Sequence, residues 1–108
     1  MRLDRLSEKN DIKKLFRGGR RARTPLFSFL WLKNDRKHQR ILCVVTKKNI
    51  KSSVARNRVR RRVNEWFRKN KDPSSPIDIL VVVDGKAAGA PKKAFYKDLS
   101  DGAKKITL

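Results

Sequence analysis

The chain has 108 residues, with 30 Lys and Arg against 10 Asp and Glu, a net charge of +20. That length fits one domain, and an apolar content of 38% is enough for a core, which separates the chain from a disordered basic tail. No apolar run approaches the ~20 residues of a membrane span, and the charged opening Met1-Arg2-Leu3-Asp4-Arg5 lacks a signal-peptide core. The single Cys43 gives neither an internal disulfide nor a cysteine-built metal site.

Ser7 is placed to cap a first helix of about ten residues, with Glu8 and Asp11 in its opening turns, where the helix dipole favours acids. Ile12, Leu15 and Phe16 make an i, i+3, i+4 stripe, and Gly18-Gly19 ends the helix. Gly18 to Arg23 reads as a basic loop carrying Arg20, Arg21 and Arg23. After Pro25 the period changes to two: Leu26 to Leu32 reads as a strand. Phe27, Phe29 and Trp31 share its heavier apolar face, expected beneath the long helix described next, and Leu26, Ser28, Leu30 and Leu32 share the other. Asn34 to His38 predicts a hairpin turn into a second strand, Ile41 to Thr46. A third strand, Ile77 to Val83, is entered from the turn Asp72-Pro73-Ser74-Ser75-Pro76. Its unbroken apolar run predicts a central place with both faces covered. Asp84-Gly85 ends it, and Pro91 opens a last helix whose apolar stripe is Phe95, Leu99, Ala103 and Ile106.

The most informative segment lies between the second and third strands. Ser52 or Ser53 can cap a helix running to about Asn70, a rod of roughly 27 Å. Ala55, Val59, Val63, Trp66 and Phe67 fall on one face, while Asn57, Arg58, Arg61 and Arg68 gather opposite, with Arg56, Arg60 and Arg62 on the flanks. Five arginines stand between positions 56 and 62 with no acid before Glu65, and neighbours such as Arg58 and Arg62 repel at i, i+4. Arginine forks match phosphate oxygens in pairs and stay charged at any relevant pH. A polyanion is therefore the expected partner. A helix that must dock one whole face on a sheet suits a folded RNA, recognised by shape and phosphates, better than it suits a DNA groove.

Lys47-Lys48, then Ala55-Arg56-Asn57-Arg58-Val59-Arg60-Arg61, then Glu65 and Phe67-Arg68 resemble the signature of the bacterial ribonuclease P protein subunit. The likeness extends to Arg5-Leu6, Phe16, Thr24-Pro25 and Asp78, and so over nearly the whole chain. It implies a single RNA-binding domain over residues 1–108. The implied fold is α+β, an α/β sandwich with a mixed four-stranded sheet and a left-handed β-α-β crossover, similar to a domain of a small-subunit ribosomal protein. Ordinary crossovers are right-handed, so this feature comes from the resemblance alone. By similarity, Arg56, Asn57, Arg58, Arg60, Arg61, Lys47, Lys48 and Arg68 would contact a catalytic RNA. Ile12, Phe16, Ser28 and Leu30 would line a cleft for the single-stranded 5′ leader of precursor tRNA, where bases stack without sequence preference. For Phe16 a place in the core is the competing reading. The implied reaction is endonucleolytic removal of that leader in the cytoplasm, with magnesium held mainly by the RNA. No catalytic residue lies in this chain, and neither a membrane nor an obligate protein partner is implied. Ile12 stands where the family usually carries an aromatic, Asn64 where a basic residue is common, and Asp84 where a basic or small one is usual.

Two other readings compete with this one. A ribosomal protein shares the size and charge, and only the pattern from Lys47 to Arg68 separates the two. A self-sufficient nuclease needs convergent carboxylates. Asp78 and Asp84 sit at opposite ends of one strand, some ~20 Å apart, and Asp98 and Asp101 read as a solvated helix face. His38 reads as an exposed turn residue and Cys43 as a small apolar one. With so much like charge, sulfate or phosphate is expected to raise the melting temperature by binding the folded form. Melting curves at matched ionic strength check this.

Overall fold

The computed structural model describes residues 4–5, 9–71 and 75–106. Leu6, Ser7, Glu8 and the turn residues Asp72, Pro73 and Ser74 lie outside them. In chain order the elements are β1 (Asp4–Arg5), α1 (Lys9–Gly18), β2 (Arg20–Arg23), β3 (Phe27–Lys33), β4 (Arg40–Val44), α2 (Ser53–Asn70), β5 (Ile77–Val83), a 3-10 turn (Gly85–Gly89) and α3 (Lys92–Ala103). One mixed sheet runs β1-β4-β5-β3-β2. Four of its strands have four to seven residues, and the two-residue β1 adds to the outer edge of β4.

β5 occupies the centre, as its continuous Ile-Leu-Val-Val-Val run requires: six of its seven residues are buried. It pairs antiparallel with β3 and parallel with β4. This overturns the expected hairpin, because β5 lies between the two strands that Asn34 to His38 connects. Alternation along β3 and β4 reports which face each side chain takes and carries no information about pairing partner. Asn34 instead ties the connection down. Its backbone N–H donates to Pro76 O at 2.9 Å, and its amide donates to Asp78 Oδ1 at 2.7 Å. The basic loop expected at Gly18 to Arg23 contains the edge strand β2, which pairs only with β3. Three arginines among its four residues hide its strand character and also discourage edge-to-edge association.

α2 joins β4 to β5 as a crossover between parallel neighbours, and its hand follows from the backbone. Ile79, Val81 and Val83 face α2 and α3, so Pro76 and Asp84 belong to the opposite pleat. Seen from α2 with β5 running upward, an L-residue pointing away turns its N–H and C=O to the left. There Pro76 O accepts from Asn34, and Asp84 N donates to Leu26 O at 2.9 Å. β3 is therefore left of β5 and β4 right of it, and the crossover is left-handed.

The larger core lies on the α2 and α3 side. Val59, Val63 and Phe67 of α2 meet Ile41 and Cys43 of β4, and Phe95, Leu99, Ala103 and Ile106 are all buried. Phe27 and Phe29 pack beneath α3 rather than the long helix: the Phe27 and Phe95 rings meet edge-on at 5.2 Å, and Gly102 lies against the Phe29 ring. The reason is spatial, since α2 covers β4, two strands from β3.

On the other sheet face α1 lies crosswise. Asp11 meets Arg40 of β4, Leu15 packs on Leu30 and Leu80, and Gly19 sits so close to β3 that a Cβ would be 3.2 Å from Trp31 O. The eight steps from Asp11 to Gly19 rise about 12 Å, comparable to the width from β4 across β5 and β3. Among the described residues no helix is long and apolar enough to cross a membrane.

A Cβ at Gly102 would overlap the fully buried Phe29 ring, which has nowhere to move. Gly102→Ala is expected to destabilise the fold by about 2 kcal/mol despite alanine's better helix propensity, as urea titration would measure.

Candidate nucleic-acid interface

The Ser52 hydroxyl caps α2 by accepting from Ala55 N at 3.2 Å, and Val59, Val63 and Phe67 anchor one face. The structure then sorts the cations of this helix into two groups. Arg56 donates from Nη1 to Ile50 O at 2.9 Å and Lys51 O at 2.8 Å. Arg60 donates to Asn57 Oδ1 at 3.0 Å and to Val45 O at 3.3 Å. Arg62 stacks over the Phe95 ring at 5.9 Å, linking α2 to α3. These flanking residues are half-buried and brace the helix and the segment before it. Arg58 and Arg61 are exposed and make no intramolecular hydrogen bond or ion pair among the described residues. Arg68 pairs with Glu65 at 2.8 Å, and its guanidinium holds the Glu65 carboxyl below the usual carboxylate range.

Lys47 and Lys48 are exposed on a turn whose base is pinned. Ile50 N donates to Thr46 O at 3.0 Å, and the Asn49 amide donates to Val83 O at 3.2 Å. With Arg56 and Arg60 clamping Ile50, Lys51 and Val45, the two lysines stand rigidly at the entrance to α2. Of the eight cationic and amide positions expected at an RNA surface, six point outward: Asn57, Arg58, Arg61, Arg68, Lys47 and Lys48. The remaining two, Arg56 and Arg60, are chiefly braces.

The α1 face of the sheet is built in rows. Register aligns Arg21, Leu30, Leu80 and Leu42 in one row, and Arg23, Ser28, Val82 and Val44 in the next. Leu15 of α1 closes over Leu30 and Leu80. The Arg23 row is left half-open: Ser28, Val44 and Val82 are all partly exposed. Asp11 and Lys14 face a cavity at the opposite end of the strands, with Leu32 and Asp78, so the Ile12 and Phe16 flank of α1 overlooks the half-open row. Phe16 is 51% exposed, which resolves its two readings in favour of a surface role. Ile12 is half-buried against the Leu15 cluster, Phe16 is exposed on the same flank of α1 and Ser28 is partly exposed on the same sheet face, whereas Leu30 is buried beneath α1 and lines nothing open. Arg21 and Arg23 border the groove, Arg21 also donating to Phe16 O at 2.9 Å, where a cation suits the helix C-terminus. These two arginines, Val44 and Val82 escaped sequence reasoning. Only the strand register brings them to one face with Ser28.

Several carboxylates are individually engaged. Asp78 and Asp11 share Arg40, Asp84 accepts from Lys86 N at 3.0 Å, and Asp98 accepts from Leu26 N at 2.9 Å. Among the described residues no three His, Cys, Asp or Glu side chains converge as a metal site. Burial pushes the Cys43 thiol up to about 12, which keeps it protonated and unreactive inside β4.

Fold and surfaces together define a small basic α+β domain with one braced cationic ridge and one narrow apolar groove on opposite faces of a sheet. The Ribonuclease P family model matches residues 1–107. The ribonuclease P protein component of Syntrophobacter fumaroxidans is 41% identical over 81 residues, 73% of this chain and 67% of that one. Its counterpart from Aliivibrio fischeri is 40% identical over 97 residues, 90% of this chain and 82% of that one. The solved ribonuclease P protein from Thermotoga maritima aligns with a TM-score of 0.81 at 27% identity, covering 97% of this chain and 99% of that one. That from Staphylococcus aureus shares the fold, with a TM-score of 0.83 at 23% identity over 93% and 92% of the two chains. The chain belongs to the ribonuclease P protein family and is a subunit of that ribonucleoprotein, with an RNA partner implied.

Replacing Arg58 and Arg61 together by glutamine should leave the melting temperature in place and reduce the salt dependence of RNA binding by about two phosphate contacts. Arg56→Gln should instead lower the melting temperature, since two backbone carbonyls lose their donor. Filter binding across a salt series, with thermal melts, distinguishes the two outcomes.

Proposed function

We infer that the α2 ridge and the Lys47-Lys48 turn hold the catalytic RNA of ribonuclease P, while the α1 groove receives the single-stranded 5′ leader of precursor tRNA. The division of labour among the arginines carries this reading. Guanidinium groups that are neither buried nor paired, on a helix braced from behind, form a preorganised phosphate surface whose ordering cost is met during folding rather than on binding. Asn57 lies within that ridge with its side-chain oxygen accepting from Arg60. Arg56 and Arg60 act by fixing the backbone that presents Lys47 and Lys48.

The groove suits a flexible strand for complementary reasons. Phe16 offers a ring face, Ser28, Val44 and Val82 give a shallow floor, and Arg21 and Arg23 flank it where a phosphate backbone would pass. Stacking on such a surface tolerates any base, which a reader of varied leaders requires.

Cleavage of the phosphodiester belongs to the RNA in this account. Magnesium would supply the activated water and stabilise the leaving oxygen. Asp11, Asp78, Asp84, Asp98 and Glu65 are ill suited to hold it, since Arg40, Lys86 N, Leu26 N and Arg68 already engage them, and among the described residues no three acids converge. The protein's part is to neutralise phosphate repulsion as RNA and leader approach, lowering the magnesium that the RNA needs.

Reconstitution tests this. Added chain should raise the rate at which the catalytic RNA cuts precursor tRNA at low magnesium, and the chain alone should cut nothing. Phe16→Ala should weaken binding of a long-leader substrate about tenfold and spare one trimmed to a single leader nucleotide. Cleavage by the protein alone, or equal affinity of the wild-type holoenzyme for both substrates, would refute the reading.

A further inference from the structure

The end of the α1 face away from the groove holds the most deeply buried charges described. Arg40 donates from Nε to Asp78 Oδ1 at 2.8 Å and from Nη2 to Asp78 Oδ2 at 2.7 Å. The same Nη2 reaches Asp11 Oδ2 on α1 at 3.0 Å. The Arg40 and Asp78 side chains are only 7% and 8% exposed, and Asp11 is 20% exposed. Beside them opens a cavity of about 410 Å³, floored by Leu32 and rimmed by Lys14, Lys33 and Arg36. Its inner polar groups already satisfy one another: Asp78 also accepts from the Asn34 amide, and the Asn34 oxygen accepts from Arg36 N. The cluster is therefore a joint between elements rather than an open ligand shell.

What the joint connects is informative. Asp78 and Arg40 belong to the neighbouring strands β5 and β4, and Asp11 belongs to the helix laid across them. Among the described residues α1 meets the sheet through Leu15 on Leu30 and Leu80, the partly buried Ile12, the Gly19 backbone against β3, and this ion pair. Leu15 is a smooth pivot. Gly19 and Arg21 hold the C-terminal end at β3 and β2. At the other end β1 ties the chain to β4 three residues before α1 begins, and within α1 it is Asp11 that bonds a charged side chain of the sheet; Ile12 and Phe16 are carried on the same rod.

We propose that Asp11 is a positioning residue for the single-stranded leader: through its ion pair with Arg40 it sets the angle of α1 across the sheet, and so the gap between Phe16 and the row formed by Ser28, Val82 and Val44. The proposal rests on the groove reading above. Asp11 touches no nucleotide and acts at the far side of the helix. Losing the pair leaves the β1 pairing and the apolar contacts to hold that end, so α1 tilts more freely about Leu15 and Phe16 no longer meets the bases at one fixed height.

The test uses holoenzyme reconstituted with the catalytic RNA and two precursor tRNAs, one with a long leader and one trimmed to a single nucleotide. Asp11→Asn should weaken long-leader binding roughly fivefold. Affinity for the trimmed substrate and for the catalytic RNA should stay unchanged, and amide exchange should quicken in α1 but not in β5. Asp11→Glu, which keeps the carboxylate one methylene further out, should fall between wild type and Asp11→Asn; it also keeps the test decisive if the asparagine variant fails to fold. Equal losses on both substrates, no loss on either, or a glutamate variant worse than asparagine would overturn the proposal. A wild-type holoenzyme blind to leader length would sink the groove reading and this inference together, a result distinguishable because it appears before any substitution is made.

Discussion

β5 is covered on both faces, by α2 and α3 on one side and by α1 on the other, and six of its seven residues are buried. Burying each of its aliphatic side chains contributes about 1.5–3 kcal/mol, so Ile77 to Val83 can lie nowhere but at the centre. That requirement parts β3 from β4, forces α2 to cross between parallel neighbours, and gives α1 a sheet face to lie on. Both surfaces of the molecule are consequences. The ridge is the outer side of the helix that covers β4 beside β5, and the groove is the part of the other sheet face that α1 leaves open.

A net charge of +20 opposes this compaction. The fold answers by giving many cations a local acceptor. Arg56 and Arg60 bond backbone carbonyls, Arg62 sits over a ring, Arg68 meets Glu65, and Arg40 is enclosed between two carboxylates that raise its pKa, Asp78 contributing most. Arginine rather than lysine suits positions 40, 56 and 60, because its planar fork reaches several acceptors at once, and position 62, because the guanidinium stacks on a ring. Arg58, Arg61, Lys47 and Lys48, which have no such acceptor among the described residues, are exposed together in the first half of α2 and the turn before it. Repulsion that weakens the isolated domain thereby becomes attraction in the complex.

The Arg40 cluster illustrates a different use of charge. A buried ion pair adds little net stability compared with apolar packing, since desolvation offsets the attraction. What it provides is direction: two carboxylates on two elements must both reach one guanidinium, which leaves those elements little freedom to shift. Apolar contacts such as Leu15 on Leu80 hold α1 down without fixing its angle.

Local pattern was enough for much of this protein. The 3.6-residue period made α2 legible from Ser52 to Asn70, including its buried face, and the run from Ile77 to Val83 announced a central strand. The clustering of Arg56 to Arg62 points to phosphate from the sequence alone. β2 was hidden because Arg20, Arg21 and Arg23 carry no apolar alternation, and the false hairpin arose because periodicity reveals a side chain's face but not its strand's neighbour. Distinguishing Arg58 and Arg61 from Arg56 and Arg60 required knowing where the carbonyls of Val45, Ile50 and Lys51 fall. Leu30 and Ser28 share a strand face in the sequence, and only the crosswise lie of α1 buries one and opens the other. The sequence by itself determined which elements form, which faces are apolar and what kind of partner the charge demands, because these follow from local periodicity and composition. The tertiary structure alone decided strand order, crossover hand, which arginines remain outward and how Asp11 meets Arg40, because each depends on groups far apart in the chain that only folding brings within bonding distance.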